Sequence, residues 1–202
     1  PSSPQYNETV TVSANVSEPE TGSGVSQVIL SYLDGSEWRN VTMTEQIPAL
    51  PWNTVVEYKV YACDRAGNWA VSDVRNYTVV DSYAPIIGDL DWSPKEPKTN
   101  KPVDVTASVS EPTNASGIST VILSYHNGSA WTNVTMTISN GIYTAQIPGL
   151  KNATHVQFKI YARDNAGNWA TSSVQEYTVK ASEPSMTCLL YTSPSPRDRQ
   201  KS

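Results

Sequence analysis

Apolar and polar residues alternate along several short stretches of the chain. In residues 10–16 and again in residues 103–109, every second residue is apolar. Successive side chains of a strand point to opposite faces, so this alternation predicts strands with one buried face. No stretch shows the 3.6-residue period of an amphipathic helix. We therefore expect an all-β protein.

The alternating stretches occur twice in the same order. The segment VILSY at residues 28–32 is repeated at 121–125, and YACDRAGNWA at 61–70 returns as YARDNAGNWA at 161–170. Repetition of this length marks tandem modules. The predicted organisation is an N-terminal module (1–80), a linker (81–85), a C-terminal module (86–180) and a disordered tail (181–202).

Turn signals divide the C-terminal module into about seven short strands, the first at residues 86–92. Seven short alternating strands in a module of about 90 residues are typical of a two-sheet sandwich. We predict two tandem immunoglobulin-like or fibronectin-III-like antiparallel β-sandwiches.

The two modules differ in one hairpin. The C-terminal module has ISNGIYTA at residues 138–145, in which Asn140 and Gly141 favour a type I′ turn. At the same place the N-terminal module has only Glu45, and its first strand is absent or clipped. We expect the N-terminal module to have a shorter edge and to be the less stable of the two.

Composition narrows the possible partners. The 202 residues carry a net charge of −5 and no cluster of Lys and Arg, which excludes a nucleic-acid footprint. No run of 18 apolar residues is present, so we expect no membrane contact within this fragment. Cys63 matches Arg163 of the second repeat, and its parity predicts an outward, unpaired thiol.

A family resemblance follows from the order of the repeated motifs. These are Glu-Pro, Ser-Gly-Val or Ser-Gly-Ile, Val-Ile-Leu-Ser-Tyr, Gln-Ile-Pro and Tyr-Ala-x-Asp-x-Ala-Gly-Asn. Over residues 1–180 the chain resembles the Ig-like or fibronectin-III-like repeats of large prokaryotic, particularly archaeal, cell-surface proteins. The resemblance implies an extracellular or cell-surface location and neighbouring repeats of the same chain as partners. It leaves the function open, because such modules serve as spacers, stalks and adhesive units.

The tail differs in kind from the repeats. The sequence CLLYTSPSPRD, from Cys188 to Asp198, resembles a translated DNA-sequencing adapter. We exclude residues 188–202 from fold reasoning as an artefact and do not pair Cys188 with Cys63. The chain is expected to be a metagenomic fragment with further repeats on either side.

No set of residues predicts catalysis. A nucleophile, a base and an orienting group are not recognisable together. The histidines, His126 and His155, match Leu33 and Val55 and so belong to no repeated design. We expect no enzymatic activity and no required cofactor.

Asparagines predict modification instead. Eight Asn-x-Ser/Thr sequons exceed the number expected by chance from composition, which favours a glycosylated outer-surface protein. The alternative is that Asn, Ser and Thr are simply common in turns and strands. The sequon asparagines are Asn7, Asn15, Asn40, Asn76, Asn114, Asn127, Asn133 and Asn152.

A repeated acidic set is a candidate calcium site. In a sandwich of this strand order, the Glu-Pro loop and the Asp-x-Ala-Gly-Asn turn are expected at the same end of a module, near a junction, where their oxygens are ligands that calcium prefers. The favoured alternative is turn chemistry, in which Asp accepts hydrogen bonds from backbone amides. The candidate residues are Glu18, Asp64 and Asn68, with Glu111, Asp164 and Asn168.

Four tryptophans recur between the modules. Exposed Trp side chains can stack on sugar rings, although a recurring Trp in a small sandwich more often packs in the core or covers a sheet edge. The four are Trp38, Trp69, Trp131 and Trp169. Trp52 and Trp92 have no counterpart and are expected to pack against loops or the linker.

These observations favour a structural spacer or stalk repeat of a large glycosylated extracellular surface protein. The alternative is an adhesion module that binds surface glycan or protein through its loops or exposed Trp residues. A contiguous exposed aromatic patch would favour binding, and buried tryptophans would favour the spacer.

Overall fold

The structure of the protein is a computed structural model that describes residues 3–183. All regular structure in these residues is β-strand, which confirms the all-β prediction, and no segment of them is a helix able to span a membrane. The adapter-like segment lies outside the described residues. The strands are β1 (Val25–Leu33), β2 (Trp38–Thr42), β3 (Val55–Asp64), β4 (Trp69–Val71), β5 (Arg75–Thr78), β6 (Ile86–Ser93), β7 (Val103–Ser110), β8 (Ile118–His126), β9 (Trp131–Thr135), β10 (Thr137–Ser139), β11 (Ile142–Ile147), β12 (His155–Asp164), β13 (Trp169–Thr171) and β14 (Gln175–Thr178).

The C-terminal module is a complete sandwich. One sheet has the order β10-β11-β7-β6, and the other has the order β13-β12-β8-β9, with β14 also paired to β12. Alternate residues of the central strands point inward, so that Leu123 and Phe158, for example, are fully buried between the sheets. This architecture confirms the predicted Ig-like or fibronectin-III-like sandwich.

One continuous run of chain belongs to both sheets of this sandwich. β9 pairs with β8 in one sheet and β10 pairs with β11 in the other, and only Met136 separates them. Met136 is buried and donates its backbone N–H to the carbonyl of Val121 at 2.8 Å. The chain therefore crosses over the core at Met136.

The final strand of each module is interrupted by a serine. The hydroxyl of Ser172 accepts a hydrogen bond from the backbone N–H of Ile160 at 2.9 Å, and Ser172 donates its own N–H to Ile160. Ser72 makes the same pair of contacts with Val60. The side chain replaces a backbone acceptor, so the last part of each module forms two short strands, β4 and β5 or β13 and β14.

The predicted Asn-Gly hairpin is confirmed between β10 and β11. Asn140 has φ of 50° and Gly141 has φ of 80°, the two positive values that a type I′ turn requires. The turn brings Ser139 opposite Ile142 and allows β11 to pair with β7 along six residues.

Among residues 3–80, the N-terminal module forms one full sheet. Its order is β2-β1-β3-β4, with β5 paired to β3. The strand predicted at residues 10–16 is not formed, because only Val10 pairs, through hydrogen bonds of 2.9 Å in both directions with Ile47. The equivalent strand β7 pairs with β6 and β11, and the N-terminal module has only Glu45 in place of the hairpin that contains most of β11.

Isolated bridges close the same end of both modules. Gln5 forms a parallel bridge with Val80, and Lys98 forms one with Lys180. In the N-terminal module this contact places Tyr6 in the core, where Tyr6 and Ile47 pack with the inward side chains of the sheet. Nine buried apolar residues form this core, against fifteen in the C-terminal module, which supports the expected difference in stability.

We predict that the chain melts in two steps, with the N-terminal module first. Leu30 and Leu123 occupy matching, fully buried positions. Leu30→Ala is expected to lower the first transition, and Leu123→Ala the second, because each removes buried apolar contacts worth about 2–5 kcal/mol. Differential scanning calorimetry of the whole chain checks this, and displacement of the upper transition by Leu30→Ala would contradict the order.

Candidate functional site

The Asp-x-Ala-Gly-Asn turn closes on its own aspartate in both modules. Asp164 ends β12, and its Oδ1 accepts hydrogen bonds from the backbone N–H groups of Gly167 at 2.6 Å and Asn168 at 2.7 Å. Its Oδ2 accepts one from Asn168 Nδ2 at 2.7 Å. Asp64 receives the two matching bonds from Asn68, both at 2.8 Å. These contacts are those of the turn-chemistry interpretation.

The Glu-Pro loop lies against this turn. Glu111 Oε2 accepts the backbone N–H of Gly117 at 2.5 Å, and the carbonyl of Gly117 accepts the backbone N–H of Asn165 at 2.9 Å. In the N-terminal module Glu18 accepts the backbone N–H of Gly24, whose carbonyl accepts that of Arg65. The loop and the turn therefore share one end of each module.

In the C-terminal module a third carboxylate lies beside those of Glu111 and Asp164. Asp81, in the linker, is 7% exposed, and its Oδ2 accepts the backbone N–H of Ser116 at 2.8 Å. One carboxylate oxygen from each of Asp81, Glu111 and Asp164 lies within 4.8 Å of the others. Sequence reasoning missed Asp81 because the matching residue of the second repeat is Ala181.

This junction cluster, defined as Asp81, Glu111 and Asp164, concentrates negative charge away from water. Asp164 is 1% exposed, and none of the four ion pairs found in residues 3–183 includes a member of the cluster. Burial raises the pKa of the Glu111 carboxyl, the hydrogen bond from Gly117 opposes the rise, and the charges of Asp164 and Asp81 add to it. Buried charges without a counter-charge are costly.

The cluster has the donor chemistry of a divalent-cation site. Three carboxylates at this spacing can contact one ion, and calcium takes six to eight oxygen ligands. Among the predicted ligands, Glu111 and Asp164 belong to this set, whereas Asn168 directs its amide nitrogen toward other oxygens. Glu18, Asp64 and Asn68 meet without a third carboxylate in the described part of the chain. Calcium binding stays a prediction, and the junction is the place in the structure whose oxygen ligands match it.

The same junction joins the two modules by direct contacts. Asn168 Nδ2 donates to the backbone carbonyls of Asp81 at 3.1 Å and Tyr83 at 3.2 Å. From the other side, the backbone N–H of Trp52 donates to the carbonyl of Asn114 at 2.8 Å, and Ala115 packs against the N-terminal core. Contacts beyond the linker therefore hold the modules together.

The four recurring tryptophans do not pack in the core, so the core interpretation is wrong, whereas the alternative position at a sheet edge fits, because they lie on the end strands β2, β4, β9 and β13. Their side chains are 45–55% exposed and lie on the outer faces of the two five-stranded sheets. The parity of the strand explains this, since Val134 packs against the core and Trp131, three residues earlier, points the other way. The expectation that Trp52 and Trp92 pack against loops or the linker is wrong, because Trp52 packs against the N-terminal core and Trp92 against the C-terminal core, where it contacts Phe158 with ring centroids 5.4 Å apart.

Each outer face carries an aromatic groove built around a lysine. Lys159 Nζ lies 5.3 Å from the ring centroid of Trp131 and 4.9 Å from that of Tyr161. In the N-terminal module, Lys59 Nζ lies 4.7 Å from Trp38 and 5.2 Å from Tyr61. The C-terminal groove has a volume of about 570 Å³ and the N-terminal groove about 480 Å³. Trp169 and Trp69 also line these grooves.

The sequon asparagines are at the surface, but Asn127 is less exposed than the others. Asn127 is half-buried, and its Oδ1 accepts hydrogen bonds from the backbone N–H and the hydroxyl of Ser129. The other seven are exposed. Asn40 and Asn133 line the two aromatic grooves. Sequence reasoning treated sequons and tryptophans as separate signals, although Trp-x-Asn-x-Thr occurs in both repeats.

The thiol of Cys63 and the two histidines lie outside the junction cluster and outside the aromatic grooves. Cys63 is a half-buried free thiol that donates to the carbonyl of Asp64 at 3.3 Å. His126 is the last residue of β8, and His155 is the first residue of β12. Neither histidine belongs to a metal-ligating cluster in residues 3–183.

Comparisons with known proteins identify similar structures only. No family model matches the chain, and no curated protein matches it. The chicken CNTN1 FN1-FN3 domains align with 76% of this chain at 19% identity and a TM-score of 0.40, and the chain spans 56% of their length. The Clostridium thermocellum CbhA fibronectin(III)-like modules align with 89% of each chain at 17% identity, also with a TM-score of 0.40.

The junction cluster generates a prediction that separates cation binding from hydrogen bonding alone. A carboxyl whose pKa is raised on folding stabilises the protein at low pH, and that stability is lost as pH rises from about 4.5 through the folded-state pKa. In a chelator, Glu111→Gln is therefore expected to raise the melting temperature at neutral pH. In calcium the order is expected to reverse, because a ligand that binds only the folded state stabilises it.

Thermal melts from acid to neutral pH, with chelator and with calcium, make this measurement. Glu18→Gln, at the matching position without a third carboxylate, is the control and is expected to respond equally in both solutions. If Glu111→Gln stays the more stable form in calcium, the cluster holds no cation and acts through hydrogen bonds only.

Proposed function

We propose that this chain is a non-catalytic spacer segment of a glycosylated extracellular surface protein, in which the junction fixes the relative orientation of two modules. The observation that carries the proposal is the side chain of Asn168. It belongs to the C-terminal module, and its amide holds two backbone carbonyls of the linker.

The junction restricts the linker from several directions. Relative motion is the default expectation for two modules in one chain unless their interface restrains it. Here Asp81 is buried and bonded to Ser116, and Tyr83 packs edge-on against Tyr6 with ring centroids 6.0 Å apart. A linker of five residues with both flanks anchored leaves little freedom for bending. Stiffness is the property that a spacer needs.

Surface chemistry supports the extracellular and glycosylated parts of the proposal. Seven of the eight sequon asparagines are exposed, as acceptors of a bulky glycan must be. Partners of a spacer are the neighbouring repeats of its own chain. In this function no side chain takes part in a chemical reaction.

A matched pair of variants tests the fixed orientation. Asn168→Ala removes the turn contact to Asp164 together with the two linker contacts, whereas Asn68→Ala removes only the equivalent turn contact to Asp64. We expect Asn168→Ala to increase inter-module motion, seen as separate rotational correlation times in ¹⁵N relaxation and a broader small-angle scattering ensemble. Asn68→Ala controls for the cost to the turn itself.

The expected result is that the unsubstituted chain and Asn68→Ala tumble as one body. Independent tumbling of the modules in the unsubstituted chain, or identical behaviour of the two variants, would contradict the proposal.

The exposed grooves favour a second candidate function, adhesion to a surface glycan. The half-exposed Trp131 and Trp169 line one groove, in which Tyr161 lies 6.5 Å from Trp169 between ring centroids, and exposed aromatic surface of this kind favours binding. A glycan array probed with unglycosylated chain tests it. Binding that is lost in Trp131→Ala and Trp38→Ala supports adhesion, and an array without signal excludes the tested sugars as ligands.

A further inference from the structure

We propose that Asn40 and Asn133 carry N-linked glycans whose first sugar ring lies in the aromatic groove of the same module. The inference rests on the glycosylation contained in the proposed function and adds the position of two of the glycans. Each groove is then covered by a sugar of this chain, and not by a sugar of another molecule.

The grooves are built from the same residues in both modules. Seven lining positions have identical residue types in the two grooves. The matching pairs are Ile29 and Ile122, Ser31 and Ser124, Trp38 and Trp131, Asn40 and Asn133, Lys59 and Lys159, Tyr61 and Tyr161, and Trp69 and Trp169.

The sequon is presented on the groove side of its strand. Trp131, Asn133 and Thr135 are alternate, exposed residues of β9, whereas Val134 packs against the core. Residues two apart on a strand are separated by about 7 Å and share a face. Asn133, whose Nδ2 atom receives the sugar, and Trp131 therefore present their side chains on the same face and line one groove. β2 repeats this order with Trp38, Asn40 and Thr42.

A small residue leaves room for the sugar on the floor of the groove. Asn133 pairs with Ser124 on the next strand, and Ser124 pairs with Lys159 beyond it. Adjacent strands are about 4.8 Å apart, so the short serine forms a depression between the asparagine and the lysine. The groove volume of about 570 Å³ lies within the range of small-ligand sites.

The groove offers both kinds of contact that a pyranose ring uses. The C–H face of the ring is apolar and can pack on the indole of Trp131, which removes exposed aromatic surface from water. The ammonium group of Lys159 can donate to ring hydroxyls. β9 and β2 are also edge strands of their sheets, so a glycan attached there shields an edge from pairing with another chain.

A double-mutant cycle in the C-terminal module tests the contact. The full chain is produced in a secretory eukaryotic host, glycan occupancy is measured by mass spectrometry, and the glycans are trimmed to the first sugar. Thr135→Ala removes the sequon without changing a residue that lines the groove, and Thr135→Ser retains it. Each variant is made with Trp131 and with Trp131→Ala, and the melting temperature of the C-terminal module is measured.

We expect Asn133 to be occupied and loss of its sugar by Thr135→Ala to lower the melting temperature by about 4–8 °C when Trp131 is present. With Trp131→Ala the loss of the sugar is expected to change the melting temperature much less. Thr135→Ser is expected to behave as the unsubstituted chain. Asn152→Gln, which removes an exposed sequon outside the groove, is expected to act equally in both backgrounds. Proton NMR of the trimmed form is expected to show ring-current upfield shifts for the sugar.

Two results would overturn the inference. The first is an occupied Asn133 whose removal has the same effect with and without Trp131, which leaves glycosylation intact and excludes the contact. The second is an unmodified Asn133 and Asn40 while other sequons are occupied. Absence of sugar from all eight sites contradicts the glycosylated part of the proposed function itself, whereas the inter-module orientation is tested separately through Asn168.

Discussion

A carboxylate taken out of water must be supplied with hydrogen-bond donors, and the buried Asp164 meets this requirement through the turn that follows it. The backbone amides of Gly167 and Asn168 close on it, and this closure fixes the side chain of Asn168. The same amide group then holds two linker carbonyls, and the linker places Asp81 on Ser116. One buried charge thus orders a turn, a linker and the facing loop. Asp64 performs the local part of this task in the N-terminal module and stays only half-buried.

Alternation in the sequence predicts which face of a segment is buried, but it does not supply a partner for the backbone. This is why the C-terminal module follows the prediction, including the Asn140 turn, while residues 10–16 do not form a strand. One neighbour of the equivalent strand β7 is β11, and most of the hairpin that forms β11 is replaced by Glu45 in the N-terminal module. Unpaired N–H and C=O groups gain nothing from the extended conformation, so the missing hairpin affects the strand beside it as well.

The site was only partly predictable for a similar reason. Repetition draws attention to Glu111 and Asp164 but gives no weight to Asp81, since Ala181 occupies the matching position. Strand parity alone predicts that Trp131 points outward, because it lies an odd number of residues from the core residue Val134. The tendency of tryptophan to pack in cores led to the opposite, wrong prediction. The grooves, in contrast, depend on register across three strands, which places Asn133, Ser124 and Lys159 in one row. Register of that kind is set by the whole sheet and cannot be inferred from one strand.

The parallel bridges at the ends of the modules have a mechanical consequence. In the N-terminal module, Tyr6 and Val80 donate backbone hydrogen bonds of 3.0 and 2.9 Å across one bridge, and in the C-terminal module Thr99 and Lys180 donate bonds of 2.8 Å across the other. Because the paired segments run in the same direction, tension applied to the two ends of a module slides them past each other. Both hydrogen bonds of a bridge then carry load together, whereas a peeling geometry would break them one at a time. The bridges therefore resist extension of the chain under force.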